Sequence, residues 1–299
     1  MSERRAVILG GGGVTGIAWA TGVLQGLQDE RVDLAAADAI IGTSAGSFVG
    51  TYLAAGLVTH FFEAQFSDEV VEIPTVMSPE VIDGWQKAFA AGGDDPTLTG
   101  RALGRLALTT PTVSSHARAE VVAARLPSAE WPDGPLQMTA IDAETGALHL
   151  FDRESGVALV TAAAASGAVP GVWPAVEAQG RLWIDGGSYS AANVGLGAGY
   201  DKVIAIVPVE GFPGQRGARD DLADLRAAGV HAILVVPDDR SRDAIGANPF
   251  DPSRRAPAAE AGRLQGQKLA SEVSPVWSLP SESPRGTVIT GQGFPTATA

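Results

Sequence analysis

Ala37-Asp38-Ala39-Ile40-Ile41-Gly42-Thr43-Ser44-Ala45-Gly46 decides the fold. An apolar run enters a glycine turn, and Phe48–Ala55 beyond it has the spacing of a helix. The same grammar stands upstream. Arg5–Leu9 is a short apolar run, Gly10-Gly11-Gly12-Gly13 follows, and Ile17, Ala20, Val23, Leu24 and Leu27 recur at helical spacing. Two strand–turn–helix units in so short a span imply a βαβ crossover and a parallel sheet. Val203–Val209 and Ile233–Val236 are continuous β-branched runs, as strands buried on both faces should be. Leu136–Asp142 and Ala147–Phe151 read as strands joined at Glu144-Thr145-Gly146, and Leu182–Asp185 as one more.

Outside these strands the pattern changes. Residues 57–135 lack strand signals and carry short amphipathic stretches. Ile82, Trp85 and Phe89 share one face, Leu103 and Leu106 mark a second, and Val121, Val122 and Leu126 a third. The expected organisation is one α/β domain over 1–277, with a helical cap insertion over 57–135 and a poorly packed tail over 278–299.

Composition bounds the function. The chain has 299 residues, 45% hydrophobic and 18% charged, which is too apolar for a disordered chain. Its net charge of −13 argues against nucleic acid as a partner. Cysteine is absent, so thiolate chemistry and Cys-ligated metals are excluded. The four histidines, His60, His116, His149 and His231, form no ligand pair, so neither a metal nor another cofactor is expected. No apolar stretch is long enough for a transmembrane helix, and no signal peptide is legible. A cytoplasmic location is expected; oligomeric state is not legible.

Three stretches carry chemistry. Gly42-Thr43-Ser44-Ala45-Gly46 fits G-x-S-x-G between strand and helix, the setting of a nucleophile elbow. Ser44 there reads as a nucleophile or as a helix N-cap. Gly11-Gly12-Gly13-Val14-Thr15-Gly16 fits G-x-G-x-x-G, but the second strand ends inside the serine motif, and Glu30 and Asp33 fall before it. That disfavours a dinucleotide site. The loop reads as a cradle of N–H groups for an anion, or as a plain tight turn. A serine needs a base, and no histidine stands in a catalytic setting. Asp185, in Leu182-Trp183-Ile184-Asp185-Gly186-Gly187, ends a hydrophobic strand. It reads as that base or as an Asx-turn residue.

Together, in this order, the motifs resemble the patatin-like phospholipases. Ala165-Ser166-Gly167-Ala168-Val169-Pro170 with Val172-Trp173-Pro174 is similar to the family's segment before the aspartate strand, where Phe is usual at the place of Trp173. Asn193 to Val207 is similar to its helix and strand after the motif, and Asn248–Pro252 to a late segment of bacterial members. The resemblance spans about 5–270. It implies a three-layer α/β/α fold with a mainly parallel sheet and hydrolysis of lipid acyl esters by a Ser–Asp dyad. Ser44 would be the nucleophile, Asp185 the base, and the amides of Gly11, Gly12, Gly13 and Ala45 the oxyanion hole. Gly16, Gly42, Gly46, Gly186 and Gly187 complete the motifs. The implied partner is a lipid or acyl-ester substrate. An acyltransferase, or a silent acyl-binding protein, would share these features. One position departs: many members carry Arg or Lys where this chain has Thr15, which puts recognition of a phosphate head group at that loop in doubt.

Overall fold

The computed structural model describes residues 3–67, 72–73, 75–212 and 216–278. Apart from Ser278, the expected tail lies outside these residues. Among them run the strands β1 (Arg5–Leu9), β2 (Ala39–Gly42), β3 (Leu136–Asp142), β4 (Leu148–Phe151), β5 (Val176–Ala178), β6 (Arg181–Asp185), β7 (Lys202–Ile206) and β8 (His231–Val235). The helices are α1 (Gly13–Asp29), α2 (Ala45–Ala54), α3 (Val58–Ala64), α4 (Pro79–Gly92), α5 (Pro96–Thr109), α6 (Ser115–Ala124), α7 (Leu159–Ser166), α8 (Ala218–Ala227), α9 (Asp239–Ile245) and α10 (Arg255–Trp277).

The strands make one sheet in the order β5-β6-β3-β2-β1-β7-β8, with β4 also paired to β3. The pairs β1–β2, β1–β7, β2–β3 and β7–β8 are parallel. β6 runs antiparallel to β3, and β5 antiparallel to β6. Both faces of the sheet are covered. On β1, Val7 and Leu9 join the core beneath α1, α2, α7 and α10, while Ala6 and Ile8 join the core on the α8 face. A two-residue period splits one strand between two cores, and the architecture is the expected three-layer α/β/α.

α1 and α2 start earlier than their apolar spacing suggests, because the motif glycines already sit in or beside their first turns. Asn193 is not followed by the expected α-helix. A single 3₁₀ turn over Val194–Gly197 leads to β7.

Within 57–135 every regular element among the described residues is helical, α3 to α6. Val81 and Trp85 of α4 and Leu103 of α5 pack with Ile141 of β3, Ile184 of β6 and Trp173. The cap is thereby joined to the sheet by a buried apolar seam directly beside the end of β6.

Candidate active site

The end of β2 turns sharply into α2, with Ser44 between them. Ser44 has φ 53° and ψ −117°, a left-handed conformation rare for a residue with a side chain. Such strain costs on the order of 1–3 kcal/mol and persists only where the surroundings enforce it. Here the flanking glycines do so. A Cβ on Gly46 would stand 2.0 Å from the carbonyl oxygen of Leu9, and one on Gly42 would stand 2.5 Å from Cα of Ser47. The turn closes this tightly because neither position carries a side chain. Ser44 makes no side-chain cap to α2, so its hydroxyl remains available to the space above the sheet.

Asp185 reaches the same space from a strand that runs against the parallel ones. Its strand is antiparallel to β3, so its carboxyl end points away from the ends of the parallel strands. Register brings it to the site all the same. Gly42 pairs with Met138 of β3, and Asp185 pairs with Ala140, two residues further along. Ser44, two residues beyond Gly42, therefore comes level with Asp185. The carboxyl is 3% exposed. Burial pushes it up to about 7, and hydrogen bonds donated by the Ser44 side chain and the Gly187 amide pull against that rise. The Gly187 N–H donates to Oδ1 at 2.7 Å. The Asx-turn reading of Asp185 is thus realised, together with the contact to Ser44.

Two bridges hold the pair. The Ser166 hydroxyl, at the end of α7, accepts the Ser44 N–H at 3.1 Å and lies 2.7 Å from the Ser47 hydroxyl. Two residues on, the Ala168 carbonyl accepts the Asp185 N–H at 3.0 Å. One short segment thus grips both backbones. The second bridge is Asn193, 3% exposed and at φ 52°. Its Nδ2 donates to Thr43 Oγ1 at 3.0 Å, to the Gly186 carbonyl at 3.2 Å and to the Ser190 carbonyl at 3.0 Å. Thr139 Oγ1 also donates to Thr43 Oγ1, at 3.0 Å. Neither Asn193 nor Thr43 stood out as a functional side chain in the sequence. The left-handed backbone of Asn193 and its three acceptors exist only once the two turns have met.

The glycine loop supplies amides, with one correction. The Gly11 N–H donates to the Ala191 carbonyl at 2.9 Å and so is already engaged. Gly12, Gly13 and Ala45 precede or open α1 and α2, and their N–H groups have no partner among the described residues. Gly13 has φ +62°, and a Cβ there would meet the Pro249 carbonyl oxygen at 2.5 Å. Gly16 packs on Pro208, and a Cβ on Gly186 would lie 2.0 Å from Thr139 Oγ1. Thr15 is fully buried, its N–H donating to the Pro249 carbonyl at 3.1 Å. It faces no substrate space.

Gly12, Gly13, Ser44 and Asp185 line one cavity of about 650 Å³. Its far wall comes from the cap. Ile82, Trp85 and Phe89 of α4 all face it, as one helical face should. Phe89 stacks on Phe212 with ring centroids 5.1 Å apart, and Trp85 meets both rings edge-on at 5.4–5.5 Å. The Trp85 indole N–H is satisfied by the Pro170 carbonyl at 3.0 Å. None of the four histidines lines this cavity. His149 sits on β4 against Phe151 and Trp183, where burial lowers its affinity for a proton. Among the described residues no group of three or more His, Asp or Glu is placed to hold a metal ion. No helix there is long and apolar enough to cross a membrane.

The family model described as patatin-like phospholipase matches residues 7–197. That span contains Ser44, Asp185 and the glycine loop. No curated protein matches the sequence. Among solved structures, the crystal structure of VipD from Legionella pneumophila is similar at 13% identity and a TM-score of 0.46, covering 91% of this chain and 67% of that one. The crystal structure of the type III effector protein ExoU is similar at 14% identity and a TM-score of 0.42, covering 91% of this chain. This chain spans 53% of that protein.

Proposed function

The chain belongs to the patatin-like phospholipase family, and on that premise we propose that it is a serine acyl-ester hydrolase acting on lipids, with Ser44 as nucleophile and Asp185 as base. The observation that carries the reading is that Ser44 and a buried carboxyl, pushed up to about 7 by burial, line the same apolar cavity. A free aspartate is a weak base, with a pKa of about 3.9. Raised toward neutrality it matches the operating pH, as a general base should.

In this reaction Asp185 takes the Ser44 proton as Oγ attacks the acyl carbonyl. The carbonyl oxygen becomes an oxyanion, facing the amides of Gly12, Gly13 and Ala45 at the positive ends of α1 and α2. Asp185 returns the proton to the departing alcohol. Water, deprotonated by the same carboxylate, then attacks the acyl-serine, and Asp185 passes that proton to the departing Ser44 Oγ as the fatty acid is released. The acyl chain lies along Trp85, Phe89 and Phe212. Labelling with a fluorophosphonate, read by mass spectrometry, tests the assignment. A phosphonyl adduct on Ser44 together with turnover of p-nitrophenyl butyrate supports it. An unlabelled Ser44 in a folded protein that hydrolyses no ester overturns it.

Two further outcomes follow from the cavity and the bridges. Trp85→Ala removes one side of the aromatic wall, so its effect should grow with acyl length. The ratio of kcat/KM for a dodecanoyl to a butanoyl ester should fall by about tenfold, the scale of one or two buried methylenes. An unchanged ratio would place the chain elsewhere. Asn193→Ala removes a donor shared by three oxygens, of which Thr43 Oγ1 and the Gly186 carbonyl keep Thr139 and the Tyr189 N–H, so the cost should be about 1–3 kcal/mol. It also lets the two turns drift, so kcat should fall roughly ten- to a hundredfold with little change in KM. Melting curves and steady-state kinetics on the same samples check both effects.

A further inference from the structure

Residues 166–170 leave the end of α7 and touch three parts of the molecule that are remote in sequence. The Ser166 hydroxyl accepts the Ser44 N–H at 3.1 Å. Two residues on, the Ala168 carbonyl accepts the Asp185 N–H at 3.0 Å. Two further on, the Pro170 carbonyl accepts the Trp85 indole N–H at 3.0 Å. Nucleophile, base and cap helix α4 thus hang on alternate residues of one short strap. Val169, between the last two grips, lines the catalytic cavity.

The strap is tied at both ends. The Gly167 N–H donates to the Ala163 carbonyl at 3.1 Å, and the Ala168 N–H to the Ala165 carbonyl at 3.2 Å. Beyond it, the amides of Val172 and Trp173 both donate to the Val169 carbonyl at 2.9 Å. A shift at one end is therefore passed along rather than absorbed. The end near the cap abuts α4 without slack. Gly171 has φ +79°, and a Cβ there would stand 2.9 Å from both methyl carbons of Val81. Only glycine combines that backbone with so close an approach. Trp85, one turn on from Val81, meets Phe89 and Phe212 edge-on, and all three rings line the cavity. An acyl chain lying on these rings presses on the cap residue that is hydrogen-bonded to the strap.

At the other end the strap meets the strained residue. Ser44, at φ 53°, gives its amide hydrogen to Ser166, whose hydroxyl lies 2.7 Å from that of Ser47 in the first turn of α2. A backbone held against strain depends on the groups that hold it. A displacement of about 1 Å at reacting atoms can cost on the order of a hundredfold in rate.

We propose that Trp85 is a positioning residue for the dyad: its indole N–H holds Pro170, and residues 166–170 carry that hold to Ser44 and Asp185, so that a seated acyl chain raises kcat. The proposal rests on the hydrolase reading above and deepens it. Binding energy from a remote part of the substrate is then realised in the reacting geometry. A wall that only binds the chain would act through KM instead.

The test separates the indole N–H from the ring. Trp85→Phe keeps an aromatic face in the wall and removes the donor to Pro170. Butanoyl and dodecanoyl p-nitrophenyl esters are compared below their aggregation concentrations. In the wild type kcat should be about fivefold higher for the dodecanoyl ester, the scale of one net hydrogen bond. In Trp85→Phe that advantage should vanish while KM for the dodecanoyl ester stays within about twofold. Ser166→Ala cuts the strap at its other end and should also abolish the advantage, and the double variant should lose no more of it than either alone. A second arm needs no turnover: the maximal rate of Ser44 phosphonylation by dodecyl and butyl fluorophosphonates should show the same advantage and the same losses.

A kcat advantage that persists in Trp85→Phe, or losses in the two variants that simply add, overturns the proposal and leaves Trp85 as cavity wall. So does an active wild type whose kcat is independent of acyl length. Melting curves establish that the variants fold, and Trp85→Phe decides alone should Ser166→Ala not fold. Absence of both ester turnover and phosphonylation in the folded wild type would instead strike the hydrolase reading.

Discussion

Ser44→Ala and Asp185→Asn will each lower ester turnover by about four orders of magnitude, and the double variant will lose no more than either alone. Nucleophile and base act as a unit, so their effects do not add. Both variants should fold. Ser44 makes no side-chain cap to α2, so its hydroxyl contributes nothing there that alanine would lose. In Asp185→Asn the amide would keep an oxygen for the Gly187 N–H, the bond that now shapes the turn at 2.7 Å. What the amide lacks is a lone pair basic enough to take the serine proton. Circular dichroism and melting curves establish the fold, and p-nitrophenyl butyrate kinetics read the loss. Wild-type turnover in Asp185→Asn together with its loss in His149→Ala would replace the dyad with a histidine-based site. The position of His149, against Phe151 and Trp183 and outside the Ser44 cavity, argues against that result.

Activity and stability will slope in opposite directions with pH, for one reason. Burial raises Asp185 from 3.8 to about 7. In the proposed reaction the ionised carboxylate is the base, so kcat/KM should be flat above about pH 7 and fall tenfold per unit below it, about a hundredfold by pH 5. For stability the sign reverses. Between pH 4 and 7 the folded protein keeps the Asp185 proton and the unfolded chain has lost it. Unfolding then releases a proton, and stability falls as pH rises through that window. At Asp29 and Asp142 partial burial raises the pKa, but hydrogen bonds and arginine partners together outweigh it. Both carboxyls end up lowered, and they contribute the opposite slope at lower pH. The clean measure is therefore a difference. The melting temperature of Asp185→Asn minus that of the wild type should rise from pH 4 to 7 and level off above it. A pH-independent difference, or an acid limb centred near 4, would mean that the carboxyl is not desolvated in solution.

The two turns that carry Ser44 and Asp185 were legible for a local reason. A strand, a glycine turn and a helix are set by residues adjacent in the chain. The steric demand for Gly42 and Gly46 arises within a dozen residues and the neighbouring strand end. Asp185-Gly186-Gly187 is likewise a local turn signal. The cap was legible in kind, as helices with apolar faces, and Ile82, Trp85 and Phe89 do share the face that lines the cavity. Local reading failed where partners are remote. The Gly11 amide counted as an oxyanion donor until Ala191, far along the chain, was seen to take it. Asn193 and Ser166 carry no local signature, because each matters through residues distant in sequence.

By itself, the sequence determined the parallel βαβ start, the strained serine turn, the helical insertion and the absence of cysteine chemistry, all consequences of short-range sterics and composition. Only the tertiary structure decided that β6 runs antiparallel and still brings Asp185 level with Ser44, because strand register is a property of pairing between distant segments. It also decided that this carboxyl is dry enough to sit near 7, and that residues 166–170 reach Ser44, Asp185 and Trp85 together. Desolvation and such convergence depend on which surfaces close over a group, and no stretch of chain carries that information alone.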